Sequence, residues 1–351
     1  MKNNIKAFHV TGVWSANFYY RGFLPAMANG WLVSNDYIDG APNNGQEFVE
    51  KLNRSDIVLF QRPNGATSLE LMSLAKQKNK IVVFDDDDTF KVGEGIVPQN
   101  GEELEHAIRI NENRNKALRM AHGAIATTEF LANELREINS NTIVIPNCID
   151  PDDEGEVLEN TTGRPRILIL GSVVSNDDWH IAKKAIQQVA DRVTFVLIGV
   201  PRDGEEGAYE EDMKFWNSLP HIEKFGFTPF GDYYNTIIES AADIAIAPRA
   251  DNYFNRCKSN LKFLEVSLFG IPFIGQAFPD ELGPYQVNPE DRKYLKLATT
   301  EDDWCNILEE AIAHIPEYKE MGKKAKEYVL NEYDINKHAH KYVEFYQSLL
   351  Q

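Results

Sequence analysis

Residues 148–171, CIDPDDEGEVLENTTGRPRILILG, set a run of acids and turn formers directly ahead of a short apolar strand. The first part holds little that would be buried and reads as a linker; RILILG (166–171) reads as a strand. Upstream, strand-length apolar runs lie at 5–10, 56–61, 80–85, 123–128 and 142–147, with helical-period segments near 20–29, 67–79, 102–121 and 129–138. Downstream, the same alternation restarts with strands at 166–171, 193–199, 222–227, 243–248 and 272–276, and the last fifty residues read as helices. Near-continuous apolar strands between helices imply parallel sheets covered on both faces. Two such series split by a linker predict α/β architecture with two doubly wound, Rossmann-like domains, 1–150 and 166–333, joined by 151–165 and followed by a terminal segment 334–351.

Composition agrees with a folded chain. Of 351 residues, 43% are hydrophobic and 11% aromatic, enough to fill sizeable cores. The formal charge of −18, from 54 acids against 36 bases, disfavours unspecific binding to nucleic acid or anionic lipid. Three separated cysteines (Cys148, Cys257, Cys305) suit a reducing compartment and exclude a disulfide framework or a clustered zinc site. The start, MKNNIKAFHVTGVW, lacks a long apolar run, and no stretch nears the roughly 18 apolar residues of a membrane span. A cytoplasmic protein is expected.

Ligands bind outside the carboxyl ends of strands in such sheets, and with two domains the expected site is a central cleft between those edges. The richest stretch there is PRADNYFNRCKSNLKFLEVSLFGIP (248–272). A strand ends at Pro248, a polar loop follows, and a helix is expected from an N-cap at Ser259. That helix start, with Lys258 and Arg249 beside it and backbone N–H groups at Asn260 and Leu261, suits a phosphate. Lys258, Lys262 and Glu265 stand at i, i+4 and i+7, on one side. The bland alternative is a surface salt-bridge ladder capped by a serine.

NRCKSNLKFLEVSLFGIP resembles the donor-site segment of GT-B glycosyltransferases, in particular the retaining glycosyltransferase family four. The resemblance extends along nearly the whole chain: YYRGFLPAMANGW (19–31) after a loop at Gly12, IVLFQRP with KIVVFDDDDTF, TIVIPNCID, and ILILGSVVSNDDWHIAKKAI are each similar to the family, in the family's order. It implies an acceptor-side first domain, a nucleotide-sugar-binding second domain and a last helix crossing back onto the first. It also implies donor contacts from Gly12, Gly171, Ser172, Gly226, Phe227, Ser259, Asn260 and Leu261, with Glu265 on the ribose hydroxyls and Arg249 and Lys258 neutralising the diphosphate. Where the family's E-x7-E element has its first glutamate, this chain has Cys257, which reads as a packing residue.

VFDDDDTF (83–90) places four aspartates at the end of a strand. Three readings compete: a metal site, carboxylates facing an acceptor, and caps with solvated neighbours. The phosphate charge already has Arg249, Lys258 and a helix start, which makes a metal redundant. The expectation is mixed, with Asp86 (the catalytic candidate) or Asp87 on the acceptor side and the others structural, and with Asp85 kept beside Asp87, Arg21 and Arg62 as an acceptor-side candidate. Arg21 and Arg62 either bind a phosphate on the acceptor or pair with these acids, pairing being favoured.

The function expected is retaining, metal-independent glycosyl transfer from a nucleotide sugar such as a UDP-sugar, with no cofactor besides that co-substrate. The acceptor is an envelope or capsular glycan or a hydroxymethylated base in phage DNA. A non-catalytic nucleotide-sugar-binding subunit and a sugar-nucleotide epimerase of the same fold are the alternatives.

Overall fold

The computed structural model describes residues 5–11, 15–34, 37–38, 41–42, 45–94, 101–171, 178–201, 207 and 210–351. Gly12 and Ser172 lie outside them. The chain forms two compact units: Met1–Asp150 with Asn252–Ser259 and Tyr333–Gln351, and Pro151–Asp251 with Asn260–Glu332.

The first unit begins with β1 (Ala7–Val10). A π-helical turn, Phe18–Phe23, runs into α1 (Leu24–Asn29). Then come β2 (Leu32–Ser34), a ribbon of β3 (Tyr37–Ile38) and β4 (Ala41–Pro42), α2 (Gly45–Arg54), β5 (Ile57–Gln61) and α3 (Ala66–Gln77). It continues through β6 (Ile81–Asp86), α4 (Gly101–Met120), β7 (Gly123–Ala126), α5 (Glu129–Arg136) and β8 (Thr142–Val144). The second unit opens with β9 (Arg166–Leu170), followed by α6 (Lys183–Val189), β10 (Thr194–Ile198), α7 (Glu210–Asn217), β11 (Ile222–Phe225), α8 (Phe230–Glu239) and β12 (Ile244–Ala247). The short α9 (Tyr253–Cys257) belongs to the first unit. The second unit resumes with α10 (Leu261–Ser267), β13 (Phe273–Gln276), β14 (Lys296–Ala298), α11 (Glu301–Ala313) and α12 (Ile315–Glu332), and the chain closes with α13 (Ile335–Leu349) in the first.

Both sheets are parallel and doubly wound, as the apolar runs predict. The first has the order β2-β1-β5-β6-β7-β8, the second β11-β10-β9-β12-β13-β14. Strand order therefore reverses between β1 and β5 in one, and between β9 and β12 in the other. Those reversals are where ligands enter such sheets.

Side chains alternate across the first sheet and both faces are covered. Val58 and Phe60 of β5 join Phe48, Met72 and Leu118 on one face, while Ile57 and Leu59 join Trp31, Tyr342 and Tyr346 on the other. Period-2 alternation with apolar residues at both phases is why the strands read as continuous apolar runs. The expected return of the last helix is seen: α13 packs on the first unit's sheet, and a Cβ at Gly123 would stand 2.6 Å from Phe345 Cζ. There His9 is fully buried between Gly22 O (3.0 Å from Nδ1) and Tyr346 Oη (2.9 Å from Nε2). Nδ1–H donates to the carbonyl and the tyrosine hydroxyl donates to Nε2, so the ring is neutral. Burial pushes its pKa down to about 4.

The expected linker differs from a free strap. Leu158 N donates to Ile238 O (3.1 Å), Lys326 Nζ to Gly155 O (2.9 Å), and Asn160 Nδ2 to Asp243 (2.6 Å). Residues 151–165 are thus tied to the second unit through polar and backbone groups, which an apolar pattern does not reveal.

Candidate functional site

At the end of β6 the four aspartates diverge, because successive strand residues point to opposite faces. Asp85 is fully buried and takes a bidentate pair from Arg21, Nε to Oδ1 at 3.1 Å and Nη2 to Oδ2 at 2.7 Å, which corrects its expected place on the acceptor side. Arg21 Nη1 also donates to Ile145 O (2.9 Å) and Asn147 Oδ1 (3.4 Å). Burial works against the Asp85 charge and raises its pKa, while Arg21 pulls the other way; the two short bonds keep the pair ionic. Asp86 turns to the other face. Its Oδ1 accepts the N–H groups of Asp87 (3.0 Å) and Asp88 (3.2 Å), and its Oδ2 accepts Arg114 Nε at 2.8 Å.

Asp87 and Asp88 lie in the turn that follows. Asp88 accepts Arg62 Nη2 (2.9 Å) and Lys258 Nζ. Arg62 Nε lies 3.8 Å from Asp87 Oδ1, and Gln61 Nε2 donates to the same oxygen at 3.4 Å. Asn17, its amide turned to suit both neighbours, donates to Asp87 Oδ2 (2.8 Å) and accepts from Arg62. Four acids therefore meet four cations: Arg21, Arg114, Arg62 and Lys258. That answers why a chain tolerates DDDD at a strand end.

Their roles separate by exposure. Asp86 has no exposed surface, and each of its oxygens is held within the unit. It caps the turn, which corrects the expectation that it faces an acceptor as a catalytic group. Asp87 keeps 14% of its side-chain surface exposed. Burial, with Asp88 and Asp86 crowding it against the pull of Arg62, pushes its pKa up to about 7. Arg21 and Arg62 pair with the acids, as favoured. Arg62 does so from a left-handed backbone (φ 51°), with its N–H on Asp85 O at 2.8 Å.

Beside this cluster, at the carboxyl ends of β1 and β5, a cavity of about 720 Å3 opens at the first sheet's reversal point. Thr11, Asn17, Gln61 and Arg62 line it from the strand ends, and His106 and Arg109 from α4. Neither α4 side chain was singled out from the sequence; their shared helical face was the signal available.

In the second unit the expected donor stretch folds differently. The polar loop contains α9, capped by Asn252, whose side chain accepts Asn255 N–H at 2.9 Å. Lys258 ends that helix in an extended conformation, so it does not share a helix face with Lys262 and Glu265. Ser259 is not an N-cap: its Oγ accepts Asn147 Nδ2 (2.9 Å) in the first unit. The cap of α10 is Asn260, whose side chain instead donates to Asp291 (2.7 Å). Cys257 packs into the first unit's core, its carbonyl accepting Thr128 Oγ1 at 3.1 Å, and burial raises its thiol pKa. It is a packing residue, not a nucleophile.

Around the second sheet's reversal point, Gly171 follows β9 in a left-handed conformation (φ 54°), and a Cβ there would sit 3.6 Å from Lys262 Nζ. Gly199, also left-handed, approaches it: a Cβ at 199 would meet Gly171 Cα at 3.3 Å. After β12, Arg249 is buried with Nη1 on Asp178 Oδ2 at 2.8 Å. Glu265, buried, accepts Tyr233 Oη at 3.1 Å. After β11 come Gly226, whose carbonyl accepts Thr228 Oγ1 (3.1 Å), and Phe227, 68% exposed. Two glycine-lined strand ends with an ammonium and a carboxylate nearby suit a phosphate and a polyol. Lys262 is the cation that spacing placed in the ladder but not beside Gly171.

Among the described residues, no group of three or more His, Cys, Asp or Glu side chains stands arranged to hold a metal ion, and no helix is long and apolar enough to cross a membrane. The sequence matches no known family model and no curated protein. Solved structures share the fold at low identity. HepE of Anabaena in complex with UDP and glucose matches with a TM-score of 0.65 and 14% identity, over 98% of this chain and 100% of that one. Sucrose-phosphate synthase from Thermosynechococcus elongatus matches at 0.67 and 15%, over 98% and 99%. A glycosyltransferase from Rickettsia africae matches at 0.64 and 13%, over 99% of both chains. The fold class is that of GT-B proteins, two doubly wound α/β domains.

Proposed function

We propose that the protein is a glycosyltransferase that moves a sugar, a hexose or a pentose, from a nucleoside diphosphate donor to an acceptor hydroxyl. The observation that carries this is the second unit's reversal point, where left-handed Gly171 lies beside the Lys262 ammonium. A glycine without a Cβ lets a diphosphate approach the backbone, and the cation offsets its charge. The fold shared with HepE, solved with UDP and glucose, supports a UDP-sugar donor. In this reading Glu265 accepts the ribose hydroxyls, Phe227 stacks on the base, and Asn260 and Leu261 offer backbone N–H groups.

Transfer proceeds with retention and without a metal, since Lys262 supplies the charge. The bond from the anomeric carbon to the diphosphate oxygen breaks as the acceptor oxygen attacks from the same face, and the acceptor proton goes to the departing diphosphate. Asp87, half-buried and titrating near neutrality, hydrogen-bonds the acceptor hydroxyl. The acceptor is an envelope or capsular glycan; a hydroxymethylated base fits a chain of charge −18 less well. The site of action is the cytoplasm.

A binding-only subunit is the second reading, favoured by the commitment of Lys258 to Asp88 and Arg249 to Asp178. Turnover separates the two. The experiment is release of UDP from UDP-glucose and other nucleotide sugars, with and without acceptor, by the wild type and Lys262→Ala. Hydrolysis that falls by about 10²–10³ in the variant supports transfer. Binding without any turnover supports the subunit reading.

A further inference from the structure

The cavity at the first sheet's reversal point has a charge pattern opposite to that of the chain. Among the described residues its lining holds Arg62, Arg109 and His106 and no carboxylate, in a protein with 54 acids against 36 bases. Helix α4 carries Glu102, Glu103, Glu105 and Glu112, yet none of them lines the cavity. What it presents there is His106, Arg109, Ile110 and Asn113, at i, i+3, i+4 and i+7, a single stripe. Arg109 Nη2 lies 2.9 Å from His106 Nδ1, so the imidazole fixes the guanidinium's direction.

A second element converges on the same space. Helix α3, twelve residues long, starts at the cavity wall with Gly65, Ala66 and Ser68 among the lining. Gly65 is its N-cap and makes no side-chain cap bond, and the first turn contains no acid. The helix dipole and its first N–H groups therefore add to the field of the two arginines. Arg62 is partly offset by the aspartates, which leaves Arg109 and the α3 start as the anchors for an incoming charge.

We infer that this cavity takes an acceptor carrying an anionic group, a phosphate or a carboxylate, which docks against Arg109 and the α3 N-terminus. The inference rests on the glycosyl-transfer reading for the word acceptor, but the anion site stands on its own geometry. A neutral-glycan acceptor would bring no opposite charge to Arg109.

Calorimetric titration of the full chain tests this with glucose 6-phosphate, glucuronate and glucose as probes, on the wild type and on Arg109→Gln. Arg109 is exposed, so the substitution leaves folding intact. The expected result is that one charged sugar binds at least about tenfold more tightly than glucose, and that the variant loses this margin. Preference for glucose 6-phosphate identifies a phosphate and preference for glucuronate a carboxylate. Charged sugars that bind no better than glucose, or a margin that Arg109→Gln leaves untouched, overturn the inference. Titration of UDP on both proteins reads the donor separately: failure of the wild type to bind UDP counts against the transferase reading, and equal UDP affinity in both shows that Arg109 acts on the anion alone.

Discussion

Replacing Arg21 by methionine tests the account of the aspartates in the most quantitative way. The substitution keeps the length of the side chain but removes both donors to Asp85, which has no exposed surface. It also strips donors from Ile145 O and Asn147 Oδ1. An isolated buried carboxylate escapes its desolvation by taking up a proton. At pH 7, against an unfolded pKa of 3.8, that protonation lies some three pH units uphill, at about 1.4 kcal/mol each. The loss at pH 7 is therefore at most about 4 kcal/mol, since burial already raises the Asp85 pKa in the wild type, against the roughly 3–5 kcal/mol of other broken buried pairs. The sign follows. In the variant, without the lowering pull of Arg21, the folded pKa of Asp85 is raised further than in the wild type, so its stability falls more as pH rises above the unfolded value. The difference from wild type is then small near pH 4.5 and full at pH 7. Adding Asp85→Leu removes the orphaned charge and should restore most of the loss. Urea unfolding read by hydrogen exchange of peptides covering β6 gives the free energies. A loss under about 1 kcal/mol at pH 7, or one that does not vary with pH, refutes the reasoning.

Other outcomes follow from the same geometry. His9, held neutral with its pKa near 4 against 6.5 unfolded, lets acid favour the unfolded chain; the stability margin of wild type over His9→Gln should shrink by about 3 kcal/mol between pH 7 and 4, measured by urea titration. Asp87→Asn should remove a rise of kcat with pH centred near 7 without reducing the melting temperature at pH 8, since the raised pKa means that the ionised carboxylate is not a stabilising group. Gly322→Ala would set a Cβ 2.2 Å from Gly270 O, forcing α12 off the turn before β13, and should lower stability by about 1–3 kcal/mol in the same titration.

The sheets were legible because parallel strands buried on both faces must be nearly continuous in apolar residues, as IVLF of β5 and ILIL of β9 are. Short edge strands carry no such constraint: LVS of β2 and KLA of β14 have too few residues to show a period, and α2 is mostly polar on its surface. The pairing of the aspartates was legible as a need but not as partners. Arg21 lies 64 residues from Asp85 and Lys258 lies 170 from Asp88, and only the fold brings them together. The donor stretch read well in residue type and poorly in geometry. The extended break at Lys258 leaves residues 252–259 in one unit and 260–332 in the other, so a helix-face argument across that point failed while Lys262 and Glu265 share α10.

The central claim is that the carboxyl edge of the second sheet holds a nucleoside diphosphate sugar. Hydrogen exchange of the full chain with UDP, ADP, GDP and their glucose conjugates, in EDTA, tests it directly. The account predicts that one nucleotide series protects peptides around Gly171, Gly199, Gly226–Phe227 and Asn260–Glu265, and that Lys262→Ala abolishes the protection. Protection that appears only when a divalent metal replaces EDTA, or none at those strand ends with any nucleotide, would contradict it.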